Sequence, residues 1–157
     1  MITQITIENF KSIEKLSIDL GRINVFIGAN GAGKSNILEV IAMLASERSA
    51  LIETKDMISK GIRIAKPDLM ISSFYGQKIV EEIRSSIYFK NLPNPNCPLR
   101  YRIYNLNYLD VFSKWSCSVS LPARGGEPTK ERIEEYDNER NEKKNYISQY
   151  LIYSLST

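Results

Sequence analysis

The stretch "NVFIGANGAGKSNILEVIAML", residues 24–44, decides how this chain is read. An apolar run meets three closely spaced glycines, Gly28, Gly31 and Gly33, and then Lys34 and Ser35. Beyond them Ile37, Leu38, Ile41, Leu44 and Ala45 fall at helical spacing, which predicts a helix of about 12 to 14 residues with one buried stripe. Ahead of the glycines, "INVFIG" lacks clean alternation and predicts a strand covered on both faces. Strand, glycine loop and helix follow one another directly.

Residues 28–35, "GANGAGKS", satisfy the spacing G-x-x-x-x-G-K-[ST] with Gly28, Gly33, Lys34 and Ser35 in place. Backbone N–H groups at a helix start bind phosphate oxygens with correctly oriented dipoles. Glycine lets the chain wrap closely and take angles that other residues avoid. The expectation is a polyphosphate cradle formed by the amides from Gly28 to Asn36, those of Gly31 and Ala32 included. Lys34 then bridges the outer phosphates as a point charge, and the Ser35 hydroxyl completes the shell of a Mg²⁺ ion.

At 157 residues the chain fits one domain with a real core. Hydrophobic residues make up 43% and charged residues 25%, so wholesale disorder is excluded. A net charge of +3 neither argues for nucleic acid nor against it. Cys97 and Cys117 lack CxxC spacing and read as plain thiols in a reducing cytoplasm. There is no histidine, which removes His triads and His metal sites together. No signal peptide is visible, and "NILEVIAMLAS" is interrupted by Glu39 and too short to span a membrane. The chain reads as cytoplasmic.

Outward from the glycine loop, "ITQITIENF" places Ile5 and Ile7 on one face, and "EKLSIDLG" repeats the pattern with Leu16, Ile18 and Leu20 inward. The short "NFKS" link favours an antiparallel hairpin. "ALIETKDMIS" is a candidate further helix with Gly61 as its stop. "EEIRSSIYFKN", "LRYRIYNLNY" and "KWSCSVSL" carry strand-like spacing between turn-forming segments and predict an antiparallel sheet. "GEPTKERIEEYDNERNEKKNYISQYL" predicts a solvated, charged helix. The expected layout is residues 1–48 for the first strands, loop and helix, 49–126 for mainly antiparallel β, and 127–157 for the charged helix and the start of a further segment.

Small GTPases need Asn-Lys-x-Asp and Asp-x-x-Gly, and neither string occurs. "ITIENFKSIEKLSIDLGRINVFIGANGAGKSNILEVIAML" resembles instead the N-terminal segment of ABC-type ATPases of the RecF/SMC/OLD group, bacterial AAA-family ATPases in particular. "KGIRIAKPDLMISSF" and "QYLIYS" resemble the group more loosely. The resemblance implies an α/β P-loop NTPase fold, the ABC-ATPase-like N-terminal lobe with an antiparallel β subdomain. It also implies ATP rather than GTP, a homodimer or larger assembly, and work in DNA repair or anti-phage defence, with a nuclease partner or domain and DNA as candidate partners. By motif, Asn30, Gly31, Gly33, Lys34, Ser35 and Asn36 would line the phosphates. Lys11 in "NFKS" matches a basic position near the nucleotide, with an exposed loop lysine as the plainer alternative.

The chain departs from that group in ways that bear on hydrolysis. A Walker B strand should read as about four apolar residues followed by Asp-Glu, supplying the metal-ordering acid and the water-activating one. "YNLNYLDVF" is the nearest string, and its Asp110 reads better as a turn aspartate. No "LSGG"-like signature occurs, and "PARGGEP" does not substitute for one. Gln77 and Gln149 are candidates for a metal-sensing glutamine, with an ordinary surface residue as the plainer reading. These gaps suggest the N-terminal piece of a longer ATPase, with a stand-alone, non-hydrolysing nucleotide-binding or regulatory module as the alternative. A weaker expectation is DNA contact by Tyr101, Arg102 and Tyr104 on the "LRYRIYNLNY" strand.

Overall fold

Alternation in the first twenty residues becomes a hairpin. In a computed structural model of the chain, β1 (Ile2–Phe10) and β2 (Ile13–Asp19) pair antiparallel, with Ile5 opposite Ile18 and Ile7 opposite Leu16. The structure describes residues 1–48, 50–72, 82–92, 94, 96–105, 114–122 and 130–154, the side chains of the last segment over 134–147 only. β1 also pairs with β4 (Glu82–Phe89), which continues through β5 (Leu99–Tyr104) and β6 (Trp115–Ser120) to the two-residue β3 (Leu51–Ile52). Among the described residues the result is one antiparallel sheet of six strands in the order β2-β1-β4-β5-β6-β3. The three later strands predicted from Ile, Tyr and Val spacing all fall within it.

One face of that sheet is the core. Ile5, Ile7, Ile83, Ile87, Leu99, Tyr101, Ile103, Trp115 and Cys117 are buried on it at every second position, the period of a strand with one wet side. Burial pushes the Cys117 thiol up to about 12, and both cysteines are free thiols. Helix α1 (Lys34–Ala45) packs against β1 and against α4 (Lys130–Ser154). Two short helices, α2 (Thr54–Ser59) and α3 (Pro67–Met70), lie between, with Gly61 in the left-handed region just after α2. Among the described residues no helix is long and apolar enough to cross a membrane.

Three expectations change. The "INVFIG" strand is not built: residues 23–28 pair with no strand among the described residues. Ile23, Val25 and Ile27 are 87%, 75% and 92% exposed, whereas Phe26 packs against the core. A strand needs a neighbour to fill its ladder, and composition does not supply one. Helix α1 buries more than one stripe, because sheet and α4 flank it, and Leu38 of the predicted stripe faces solvent instead. Helix α4 is not wholly solvated: Glu139, Lys143 and Ile147 are buried, and Tyr146 meets Phe89 edge to face at 6.0 Å.

Candidate nucleotide site at the start of α1

The site forms where the glycine loop turns into α1. Gly33, the residue before the helix, sits at φ 83°, and a Cβ there would lie 3.1 Å from Ser12 Oγ. The angle favours glycine, and a side chain there would also press on Ser12. Gly31 also holds a positive φ, 84°. Among the described residues no side chain caps the helix, and no acid occupies its first turn, which leaves the N–H groups of Lys34 and Ser35 at the positive end of the helix dipole. Helices elsewhere answer these orphan donors with Ser, Thr, Asp or Asn. Here they are left for something else.

Lys34 is folded back into the loop. Its ammonium donates to the carbonyls of Gly28 and Ala29, each at 2.7 Å, while Ala32 N donates to Ala29 O at 3.2 Å. The loop is thus curled around the cation, which stands at its centre. A cleft of ≈ 940 Å³ opens over it, and Asn30, Gly31, Ala32, Gly33, Lys34, Ser35 and Asn36 all line that cleft, as does Lys11. Gly28 contributes its carbonyl to Lys34 and does not line the cleft. Asn36 is mostly buried and acts as a strut: its amide donates to Ser12 Oγ at 2.8 Å.

Reading by motif missed the opposite wall. Ser12, Arg63, Ile64, Ala65 and Leu69 complete the cleft. They arrive because the chain after α2 returns beside the β1–β2 turn. Lys11 N donates to Met70 O at 3.0 Å, and the single Ser72 Oγ–H lies between the carbonyls of Lys11 and Ile13, at 2.7 and 2.6 Å, and is shared by them. Glu39, on the buried side of α1, then clamps both cations. It accepts from Lys11 Nζ at 2.5 Å and Arg63 Nε at 2.6 Å. Lys11 also donates to Arg63 O at 2.8 Å, and Arg63 Nη2 to Asn36 Oδ1 at 3.3 Å. Lys11, Lys34 and Arg63 line the cleft beside the helix start, and Glu39 behind them is committed to two of the three, a chemistry suited to anionic oxygen.

Asp110 and Gln77 lie outside the described residues, as does "PARGGEP" beyond its first residue, Pro122; Gln149 falls within α4 with its side chain undescribed. Of the three residues expected to meet DNA, Tyr101 is 2% exposed and packs in the core, because it falls on the inner face of β5. Arg102 and Tyr104 face solvent.

The pattern of the AAA ATPase domain family matches residues 1–155. The chain belongs to that family. It is 33% identical over 109 residues to an uncharacterized protein of Methanocaldococcus jannaschii, covering 64% of this chain and 47% of the relative. It is 43% identical over 49 residues to the DNA replication and repair protein RecF of Lactobacillus acidophilus, 31% of this chain and 13% of that one. A match to the DNA double-strand break repair Rad50 ATPase of Saccharolobus solfataricus is 34% identical over 87 residues, 54% of this chain and 10% of that one. The chain therefore spans less than half the length of these relatives. An SMC ATPase of known structure superimposes with a TM-score of 0.54 at 22% identity, covering 88% of this chain and 78% of that one. The fold is accordingly the P-loop NTPase-like α/β arrangement of RecF- and SMC-type ATPases, and the family relationship is one of nucleotide binding.

Proposed function

We propose that the cleft binds ATP together with Mg²⁺, as part of an ATPase whose work is directed at DNA. The observation that carries this reading is the curled loop at an uncapped helix start with the Lys34 ammonium at its centre. A polyphosphate would take over the ammonium from the two carbonyls and draw on the N–H groups of residues 31–35. The Ser35 hydroxyl, on the same rim, suits the oxygen shell that Mg²⁺ requires. Bound there, the metal would screen charge on the outer phosphates. Lys11 and Arg63 fit as flanking cations, and Ile64, Ala65 and Leu69 offer an apolar wall for the sugar or base. The RecF and Rad50 names of the relatives favour DNA as the object of the work; nothing comparable favours anti-phage defence.

Calorimetric titration with Mg-ATP tests the reading. Lys34→Ala removes a charge-assisted donor and should weaken binding by about 10- to 100-fold. A variant that binds like the parent ends the proposal. The second reading, a module that binds nucleotide without turning it over, draws on the cleft's chemistry. Among the described residues no carboxylate lines the cleft, and Glu39 behind its wall is committed to Lys11 and Arg63, so no described residue stands ready to activate water. Phosphate release by the parent chain separates the two.

A further inference from the structure

We infer that Asn30 is a site of spontaneous covalent modification: its side-chain amide closes on Gly31 N and reopens as aspartate or isoaspartate, and the new carboxylate bars polyphosphate from the cleft. The consequence for binding rests on the nucleotide reading above; the modification itself does not.

The reaction needs a backbone N–H that can reach the preceding side-chain carbonyl, and glycine, having no Cβ, hinders that approach least. Asn30 is the only asparagine of the chain that a glycine follows. The pair sits at the centre of a turn closed by Ala32 N donating to Ala29 O at 3.2 Å, with Gly31 at φ 84°. Gly31 N–H stands outside the turn's own hydrogen bond. Both residues are exposed, and a Cβ on Gly31 would meet nothing within 4 Å. Among the described residues neither the Asn30 amide nor Gly31 N makes a hydrogen bond.

Other asparagines lack one or more of these features. Asn24 exchanges two hydrogen bonds with Gly21, accepting at 2.8 Å and donating at 3.1 Å, and the branched Val25 follows it. Asn36 is mostly buried and donates to Ser12 Oγ. Asn94 donates to Glu139 and precedes Pro95, which has no N–H to attack with. Asn138, Asn141 and Asn145 lie within α4, where the next N–H is committed to the helix ladder.

The attacking species is the deprotonated amide of Gly31, and its surroundings favour that anion. Lys34 Nζ bonds the carbonyls of Gly28 and Ala29, the positive end of α1 begins at Lys34, and no carboxylate of a described residue lines the cleft. Gly31 N gives up its proton to water and bonds to Asn30 Cγ; the Cγ–Nδ2 bond breaks, and Nδ2 takes up a proton and leaves as ammonia. Water then opens the imide ring at either carbonyl, giving aspartate or isoaspartate. A neutral amide thereby becomes a carboxylate in the cleft that Gly33, Lys34 and Ser35 also line. Negative charge there repels a polyphosphate. A bound phosphate oxygen would in turn take the Gly31 N–H and remove the nucleophile, so an occupied cleft protects itself.

Ageing the intact chain in mildly alkaline buffer tests this, with trypsin digestion and mass spectrometry of residues 23–34 against an unaged sample digested alongside. That peptide holds both Asn24 and Asn30. Asn30 should gain about 1 Da and split into aspartate and isoaspartate forms, while Asn24 keeps its amide. Mg-ATP at about 100 times its dissociation constant should slow the change by at least about 30-fold. Asn30→Gln, whose longer side chain closes the ring poorly, should keep its mass. Asn30→Asp, one product made directly, should bind Mg-ATP at least about 10-fold more weakly than the parent at an unchanged urea midpoint. An Asn30 that reacts no faster than Asn24 overturns the inference, as does an Asn30→Asp variant that binds like the parent. An unslowed reaction with Mg-ATP that calorimetry shows to be bound overturns the protection. A parent that binds no Mg-ATP ends the nucleotide reading, and selective isoaspartate at Asn30 still upholds the modification site.

Discussion

Glu39 shows how one buried side chain can set the geometry of a surface cleft. It is 6% exposed, on α1 beneath the glycine loop, and holds Lys11 and Arg63 from opposite sides. Burial alone would push its carboxyl up; hydrogen bonds from Lys11 and Arg63 outweigh that and hold it below the ordinary carboxylate value. A group depressed in the folded state contributes fully at neutral pH, and its contribution is lost as pH falls through that lowered value. Glu39→Gln keeps the shape and removes the charge. It should destabilise the chain by about 1–3 kcal/mol at neutral pH, since Lys11 is left largely buried beside a neutral amide. The gap to the parent should close in acid, where the parent's own carboxyl is protonated. Urea midpoints of both proteins across that range are the measurement, and a gap unchanged in acid contradicts the charge-based account. The same variant should also loosen Mg-ATP binding, because Arg63 loses the anchor that holds it at the cleft.

Among the elements, α4 is the one whose sequence conceals most. Its run of Glu, Lys and Asn reads as solvated, yet Glu139 and Lys143, one turn apart, are both buried and joined at 2.7 Å. Lys143 donates further to the carbonyls of Cys97 at 2.7 Å and Asn94 at 3.3 Å, while Asn94 donates to Glu139 at 2.9 Å. The pair therefore pins the β4–β5 connection to the helix, and Lys144 with Glu47 pins the end of α1. Lys143→Met, close in length, leaves a buried carboxylate without its ammonium and should cost about 3 kcal/mol, a fall in Tm of about 6–12 °C by thermal unfolding. A change below about 1 kcal/mol means that the helix is held by its apolar contacts alone. Composition could not have revealed this, because a paired buried lysine and a solvated one look alike in a sequence. Period-2 alternation in β1 and β2 and the glycine spacing before α1 were legible because those signals are local. Arg63 was not, since its place at the cleft depends on a chain return fixed by Ser72, sixty residues from the turn it grips. "INVFIG" misled for the matching reason: its side chains favour a strand, but a ladder depends on a neighbour that the segment itself does not specify.

For the whole molecule, that segment poses the question of what its surface does in solution. The two edges of the sheet are blunted in ordinary ways: β3 is two residues long, and β2 turns Glu14, Lys15, Ser17 and Asp19 to solvent. Residues 23–27 have no such protection. Extended backbone without ladder bonds among the described residues, carrying Ile23, Val25 and Ile27 outward, offers both unpaired amides and an apolar row. Such a stretch is a template for strand addition, and in a solution of this chain the strand at hand is the same segment of another copy. The chain should therefore associate as its concentration rises, and the association should run through these residues. Val25→Lys places a charge in the middle of the row at a position already 75% exposed. Because that side chain is mostly exposed, the substitution should leave stability within about 0.5 kcal/mol of the parent while suppressing association. Light scattering over a concentration series, with urea unfolding in parallel, reads both quantities. Should Val25→Lys unfold the chain as a core substitution does, the segment is packed in solution and the exposed row does not exist. Should it associate as readily as the parent, the adhesive surface lies elsewhere on the molecule.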